Sequence, residues 1–316
     1  MPSRAMRAEE LKGAYVAIAT PFEASTDRVS PKVNYAGVES IIERLMHFGI
    51  NGAVIAGCTG YDSYMTVDEQ AELFQHVAKK FGRFSNFWLI AGDGANTTRE
   101  AIELAQSAEK AGIFTHLSVS PYKVKPSDRG LIEHYREIMR HIEGNLILYS
   151  VPGRTGGLGI LPHVAENLAN HPRIIGIKEA SGKVDRIKQT IAKTKNKDFA
   201  VISGDDGLTL DIIAAGGTGI ISVAGNIAPE QVSRMAGYAL KGETEKARAI
   251  NKQLEPLYSA LFPKRECHNC SPNPVMCHYA LRKMGFEFGV PPLPLTEGED
   301  WEHDNMDKAL ASLGLI

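Results

Sequence analysis

The chain reads as an α/β protein built on a (β/α)8 TIM barrel with a C-terminal helical appendage. Short β-branched runs alternate with amphipathic helical patterns from Tyr15 to about Lys241, which is the signature of βαβ units around a parallel sheet. There are eight such runs, and their number and the length they span suit a closed eight-stranded barrel. The competing doubly wound open sheet carries a glycine-rich dinucleotide turn after its first strand. Here that turn is Thr20-Pro21-Phe22-Glu23, which excludes it.

In chain order, a strand at 15–20 precedes a helix at 33–48, and a strand at 52–56 precedes a helix at 67–81. A strand at 87–91 leads to a helix at 98–111, and one at 115–120 to a helix at 129–142. Strands follow at 145–151, 174–179, 199–204 and 219–223, with a helix at 229–240 after the last. These elements form the expected barrel unit, 1–241. The remainder, 242–316, holds two or three helical patterns separated by proline-rich joints at 272–274 and 291–294.

Composition narrows the function classes. The 35 basic and 37 acidic residues leave a formal net charge of -2, so no global field draws nucleic acid or an acidic membrane surface. A small neutral or modestly charged substrate fits better. The first eleven residues are charged and lack a secretory apolar stretch, and no segment reaches the roughly 18 uninterrupted apolar residues of a membrane span. A soluble, cytoplasmic protein is expected. Four cysteines in 316 residues give no disulfide framework. Cys267-His268-Asn269-Cys270 and Cys277-His278 resemble a metal-ligand spacing. Only one true C-x-x-C is present, however, and a helix starting near Pro274 explains Cys277 as a packed residue. No metal and no cofactor are expected.

In such a barrel the reactive groups gather at the C-terminal ends of the strands. That rule selects Gly57-Cys58-Thr59-Gly60 after strand 2, Pro121-Tyr122-Lys123 after strand 4 and Tyr149-Ser150-Val151-Pro152 at the end of strand 5. It also selects Lys178 on strand 6 and Gly204-Asp205-Asp206 after strand 7. Lys178 is the most informative of these, because it closes the apolar run Ile174-Ile175-Gly176-Ile177. An unpaired ammonium is costly to bury. A lysine in a core strand therefore either snorkels to water or has a chemical reason to be there. Desolvation lowers its pKa, and the neutral amine can attack a carbonyl to form a Schiff base.

An amine nucleophile needs a proton shuttle, and the Tyr149 phenol, one strand away, is the natural acid and base. Thr59 can orient a carboxylate or relay a proton, and the backbone of Gly57-Cys58-Thr59-Gly60 suits the carboxylate of a 2-oxo acid. A metal-dependent aldolase would need histidines or carboxylates clustered at strand ends, whereas His116 lies at the start of its strand. A phosphate site would need glycines after strands 7 and 8, but Gly216-Gly217-Thr218-Gly219 precedes strand 8.

These stretches resemble a known family. Ala17-Ile18-Ala19-Thr20-Pro21-Phe22, Gly57-Cys58-Thr59-Gly60, Ala91-Gly92-Asp93-Gly94-Ala95-Asn96, Tyr149-Ser150-Val151-Pro152-Gly153-Arg154-Thr155-Gly156 and Ile175-Gly176-Ile177-Lys178-Glu179-Ala180-Ser181-Gly182 resemble the dihydrodipicolinate synthase/N-acetylneuraminate lyase family of class I, pyruvate-dependent aldolases. Ser203-Gly204-Asp205-Asp206 and Gly219-Ile220-Ile221-Ser222-Val223 extend the match over nearly the whole chain.

The resemblance implies that Lys178 forms the imine with pyruvate and Tyr149 shuttles protons. It implies that Thr59 holds the pyruvate carboxylate, with Ile221 and Gly204 in the substrate-binding set. The segment from Val151 to Gly156 looks most like the synthase branch, which makes 4-hydroxy-tetrahydrodipicolinate for lysine biosynthesis. There Arg154 would bind the carboxylate of the incoming aspartate semialdehyde. A homotetramer is implied as well.

Three positions depart from the synthase pattern. Cys58 stands where a relay threonine is expected, Lys123 where a relay tyrosine is expected, and Tyr61 where a glutamate is usual. A thiol is a weaker hydrogen-bond partner than a hydroxyl. Lys123 either points to solvent or approaches the pocket, where its charge would depress the Lys178 pKa and attract an anionic substrate. In the family's lysine-feedback site, Asn96, Glu100 and Tyr122 agree but Val67 and Gln70 replace histidines, so weak inhibition or none is expected. The readings are a synthase, another 2-oxo acid aldolase acting on a sugar acid or hydroxy-oxo acid, or a catalytically silent metabolite-binding relative.

Overall fold

A computed structural model describes residues 4–25, 27–157, 159–263 and 270–316. Eight parallel strands close into one barrel in sequence order. They are β1 (Gly13–Ala17), β2 (Gly52–Ile55), β3 (Trp88–Gly92), β4 (Thr115–Val119), β5 (Asn145–Ser150), β6 (Ile174–Glu179), β7 (Ala200–Ser203) and β8 (Gly219–Ser222). Every expected strand is found. The first ends three residues early, because the Asn226 side chain takes over its hydrogen bonds: Nδ2 donates to Ala17 O, and Oδ1 accepts from Ala19 N.

The helices are α1 (Tyr35–His47), α2 (Val67–Phe81), α3 (Thr98–Ala111), α4 (Asp128–His141), α5 (Pro162–Leu168), α6 (Val184–Thr194), α7 (Thr209–Ala214) and α8 (Pro229–Leu240). The starts of the first four are set by side-chain oxygens that accept otherwise unpaired N–H groups of the first turn. Asn34 caps α1, Thr66 caps α2 with Glu69 completing a capping box, Thr97 caps α3 and Ser127 caps α4. The cap explains why α1 begins at Tyr35 rather than at 33: Asn34 needs an extended backbone, and Val33 bridges to Phe22 instead.

Alternate residues of each strand point in and out. Tyr15, Ala17, Val54, Ile90, Leu117, Val119, Ile147, Tyr149, Ile175, Ile202 and Ile221 fill the barrel interior. Met6, Ala8 and Leu11, from the segment before β1, join the same cluster. The outward residues pack against the helices in two further clusters.

Beyond the barrel, α9 (Thr244–Leu261), α10 (Val275–Lys283) and α11 (Asp300–Ser312) bury Leu254, Leu257, Met276, Leu281, Met306 and Leu310. These residues belong to the same cluster as Val16, Ile18 and Ile42 of the barrel layer. Among the described residues no helix is long and apolar enough to cross a membrane.

Candidate active site

The site depends on an irregularity in β6. Ile175 faces the barrel interior, so strict alternation would also turn Ile177 inward and Lys178 outward. The pairing with β5 instead runs Leu146 with Ile174 and then Ile147 with Gly176, so β6 carries one extra residue. Such a bulge reverses the facing of everything after it. Ile177 therefore packs in the outer layer, and Lys178 falls in register with inward-facing Tyr149. The Lys178 ammonium lies 4.4 Å from the centroid of the Tyr149 ring.

Lys178 is 4 % exposed and has no carboxylate partner within salt-bridge range among the described residues. Burial lowers its pKa to about 8; Arg154 pushes the same way, and Cys58 and Asp206 oppose it. The Tyr149 phenol is held well above its ordinary value, first by burial and then by Cys58. The phenol therefore enters the reaction protonated. Gly204 makes room for the lysine stem: a Cβ there would lie 3.0 Å from both Cγ and Cε of Lys178.

Lys178 and Tyr149 line a small cavity, together with Cys58, Thr59, Asp62, Gly92, Gly94, Leu117 and Val119. Its roof is the tight turn after β2. Gly60 N donates to Gly57 O at 2.7 Å and Asp62 N to the same oxygen at 3.4 Å. Ala56 and Tyr61 flank the turn with φ of 54° and 59°. A non-glycine residue in the left-handed region is strained by about 1–2 kcal/mol, a cost typical of segments that serve a site.

Burial also raises the Cys58 thiol to about 12, with Asp62 adding to the effect. The Asp62 carboxyl is raised by burial, against the pull of Ser63, Arg154 and Cys58.

Cys58, Thr59, Tyr149 and Lys178 are thus brought together. Ile221 is buried in the barrel interior, and Gly204 touches Lys178; neither lines the cavity. Arg154 is exposed above it, with its Nη2 donating to Asn273 O at 2.8 Å. Lys123 is exposed and outside the lining. Gln70 is buried, and its Nε2 donates to Asp62 O at 3.1 Å and Met65 O at 3.3 Å.

Cys267 and His268 of the cysteine cluster lie outside the described residues, and Cys277 is buried on α10. Among the described residues no group of three or more His, Cys, Asp or Glu is arranged to hold a metal.

Three residues near the site carried no role in the sequence reading. Asp62 lines the cavity. Asn273, from the segment before α10, donates from Nδ2 to Thr59 Oγ1 at 3.2 Å, and its buried Oδ1 has no partner among the described residues. Asp206 is buried and accepts from Ser222 Oγ, from Val223 N at 3.0 Å and from Ala224 N at 3.1 Å, fixing the turn after β8. The Asp205-Asp206 pair at a strand end was a visible signal. Asp62 had none, since an acidic turn residue reads as solvent-facing, and Asn273 stood only in a stretch, Ser271-Pro272-Asn273-Pro274-Val275, that resembles the synthase C-terminal region.

The geometry is that of a buried amine and phenol at the C-terminal rim of a barrel, and comparison with known proteins agrees with it. The model of the dihydrodipicolinate synthetase family matches residues 10–313. The chain is 39% identical over 306 residues to a 4-hydroxy-tetrahydrodipicolinate synthase of Azoarcus sp., covering 96% of this chain and 99% of that protein. It is 36% identical over 308 residues to the enzyme of that name from Haloarcula marismortui, covering 98% and 95%. Its fold superposes with a TM-score of 0.88 on the chloride-inhibited dihydrodipicolinate synthase of Acinetobacter baumannii complexed with pyruvate, at 34% identity, covering 97% of this chain and 100% of that one. With the match spanning nearly its whole length and a buried lysine at the barrel rim, the chain belongs to the dihydrodipicolinate synthetase family of class I, pyruvate-dependent Schiff-base lyases.

Proposed function

We propose that the chain is a 4-hydroxy-tetrahydrodipicolinate synthase, condensing pyruvate with L-aspartate 4-semialdehyde in lysine biosynthesis, and that it works in the cytoplasm as a homotetramer. The observation that carries the chemistry is the in-register pair of Tyr149 and Lys178 lining one cavity. The free amine of Lys178 attacks C2 of pyruvate, and Tyr149 gives a proton to the carbinolamine oxygen so that it leaves as water. Thr59, buried at the cavity wall, takes the pyruvate carboxylate. Loss of a C3 proton gives the enamine, which attacks the aldehyde carbon.

Arg154 receives the carboxylate of that second substrate. A guanidinium suits a planar bidentate contact, and its exposed position above the cavity suits a group that arrives after pyruvate is bound. A different 2-oxo acid aldolase is the second reading. It is favoured by Cys58 and Asp62 at the cavity wall, which give the second substrate a thiol and a carboxyl to meet.

Turnover of pyruvate with aspartate semialdehyde, compared with a panel of sugar-acid and hydroxy-oxo-acid aldols assayed for cleavage, decides between them. Synthase turnover at least a hundredfold above any aldol cleavage is expected, and the reverse ratio would replace the first reading with the second. Light scattering should return four times the chain mass, and a monomer would remove the assembly proposal.

A further inference from the structure

Lys178 and Tyr149 face into the barrel, so alternation turns the next residues, Glu179 and Ser150, outward. These two are also in register with each other, and both are fully buried. Just past them the strands part. β5 runs into the loop 151–160, which carries Arg154 and holds four glycines, Gly153, Gly156, Gly157 and Gly159. So much glycine gives the loop a large conformational freedom to lose. Its first half folds on itself, with Arg154 N donating to Val151 O at 2.8 Å and Gly157 N to Pro152 O at 2.9 Å. Its neck is closed by Ser150 Oγ, which accepts from Ile160 N at 3.1 Å.

Arg186, in the first turn of α6, reaches across this neck. Its Nη2 donates to Ile160 O at 2.6 Å and to Ser150 Oγ at 3.3 Å, and its Nε lies 3.6 Å from Glu179 Oε2. The other oxygen of that carboxylate, Oε1, accepts from Ser181 N at 2.9 Å and fixes the turn after β6. Only glycine allows so close an approach at 159: a Cβ there would lie 2.9 Å from both Arg186 Nη2 and Ser150 Oγ. One guanidinium thus ties both ends of the Arg154 loop to the residue that follows Lys178.

We propose that Arg186 is a positioning residue for the second half of the reaction: it clamps the loop that carries Arg154 to the strand pair behind Tyr149 and Lys178, and so sets where the carboxylate of the incoming aldehyde is received. The inference rests on the reading of Arg154 as the partner of that carboxylate. A guanidinium suits the task because its rigid fork addresses a carboxylate, a carbonyl and a hydroxyl at once, which one ammonium on a flexible stem does not. Pyruvate meets Lys178, Tyr149 and Thr59, none of which is on the clamped loop, so the first half of the reaction does not depend on it.

Steady-state kinetics with pyruvate and L-aspartate 4-semialdehyde test this. In a ping-pong reaction kcat/KM for pyruvate reports imine formation, and kcat/KM for the aldehyde reports the steps after it. Arg186→Lys keeps a cation beside Glu179 but loses the fork. It should lower kcat/KM for the aldehyde by about 10- to 100-fold, while kcat/KM for pyruvate and the rate of borohydride-trapped adduct formation stay within about twofold. Ser150→Ala, which leaves the ion pair intact, should also lower the aldehyde value alone. In Arg154→Ala the clamp has nothing left to position, so adding Arg186→Lys should cost the aldehyde step nothing further.

Equal losses for pyruvate and the aldehyde in both Arg186→Lys and Ser150→Ala would mean a merely structural role and overturn the clamp. An unchanged aldehyde value in either of them, or multiplicative losses in the double variant, would overturn it as well. An aldehyde value unaffected by Arg154→Ala would overturn the reading of Arg154 and the clamp with it. No turnover of aspartate semialdehyde by the wild-type protein would overturn the synthase reading and both of these claims.

Discussion

A lysine amine attacks a carbonyl only as the free base, and burial brings Lys178 down to about 8. Below that pH the ammonium dominates and is not nucleophilic. The rate of imine formation with pyruvate should therefore climb as the pH rises toward about 8 and level off above it, as stopped-flow measurement would show. A limb still rising near the ordinary lysine value would mean that the side chain is solvated. Gly204→Ala probes the same group by contact, because the added methyl meets the lysine stem at 3.0 Å. Activity should fall about tenfold or more through a displaced amine, with much less effect on unfolding. Lys178 and Tyr149 were legible in the sequence because each stands at the end of an apolar run. The inward facing of Lys178 was not, since it follows from a bulge that the string Ile174-Ile175-Gly176 does not announce. Asp62 was hidden for a different reason: only the left-handed turn at Tyr61 decides that it lines the cavity.

At the scale of elements, the seam between β3 and β4 is held partly by charge. The two strands share only the register pairs Ala91 with His116 and Gly92 with Leu117. Within this pairing His116, fully buried, sets Nδ1 2.5 Å from Asp93 Oδ2, with Glu109 3.5 Å from Nε2. Burial pushes His116 down, but Asp93 and then Glu109 outweigh it and raise it to about 9. A histidine whose folded pKa is raised stabilises the fold fully below its unfolded value of about 6.5, and that contribution is lost as the pH rises through about 9. Asp93→Asn should cost about 3 kcal/mol near neutral pH, because it strands a buried charge. The gap between the two unfolding curves should narrow as the pH approaches about 9, and a gap independent of pH would show that His116 is neutral. The eight strands were readable from their β-branched runs. Strand 1 was overdrawn because Asn226, about two hundred residues away, ends its ladder.

For the whole molecule, the C-terminal helices are joined to the barrel by a continuous core and by the site itself. Leu254, Leu281 and Leu310 share one apolar cluster with Val16 and Ile42, and Asn273 reaches back to Thr59 and Arg154. A chain ending at Lys241 should thus be insoluble or lack a cooperative unfolding transition, and a folded, pyruvate-binding truncation would contradict that unity. Proline-rich joints made the appendage visible in the sequence, but its return to the barrel rim depends on tertiary packing that no local pattern encodes. The measurement to make first is the intact mass of the protein after incubation with pyruvate and borohydride, beside Lys178→Ala. One reduced pyruvate adduct on the wild-type chain and none on the variant is the expected result. An unmodified wild-type chain, or an adduct that persists without Lys178, would mean that the buried amine is not the nucleophile.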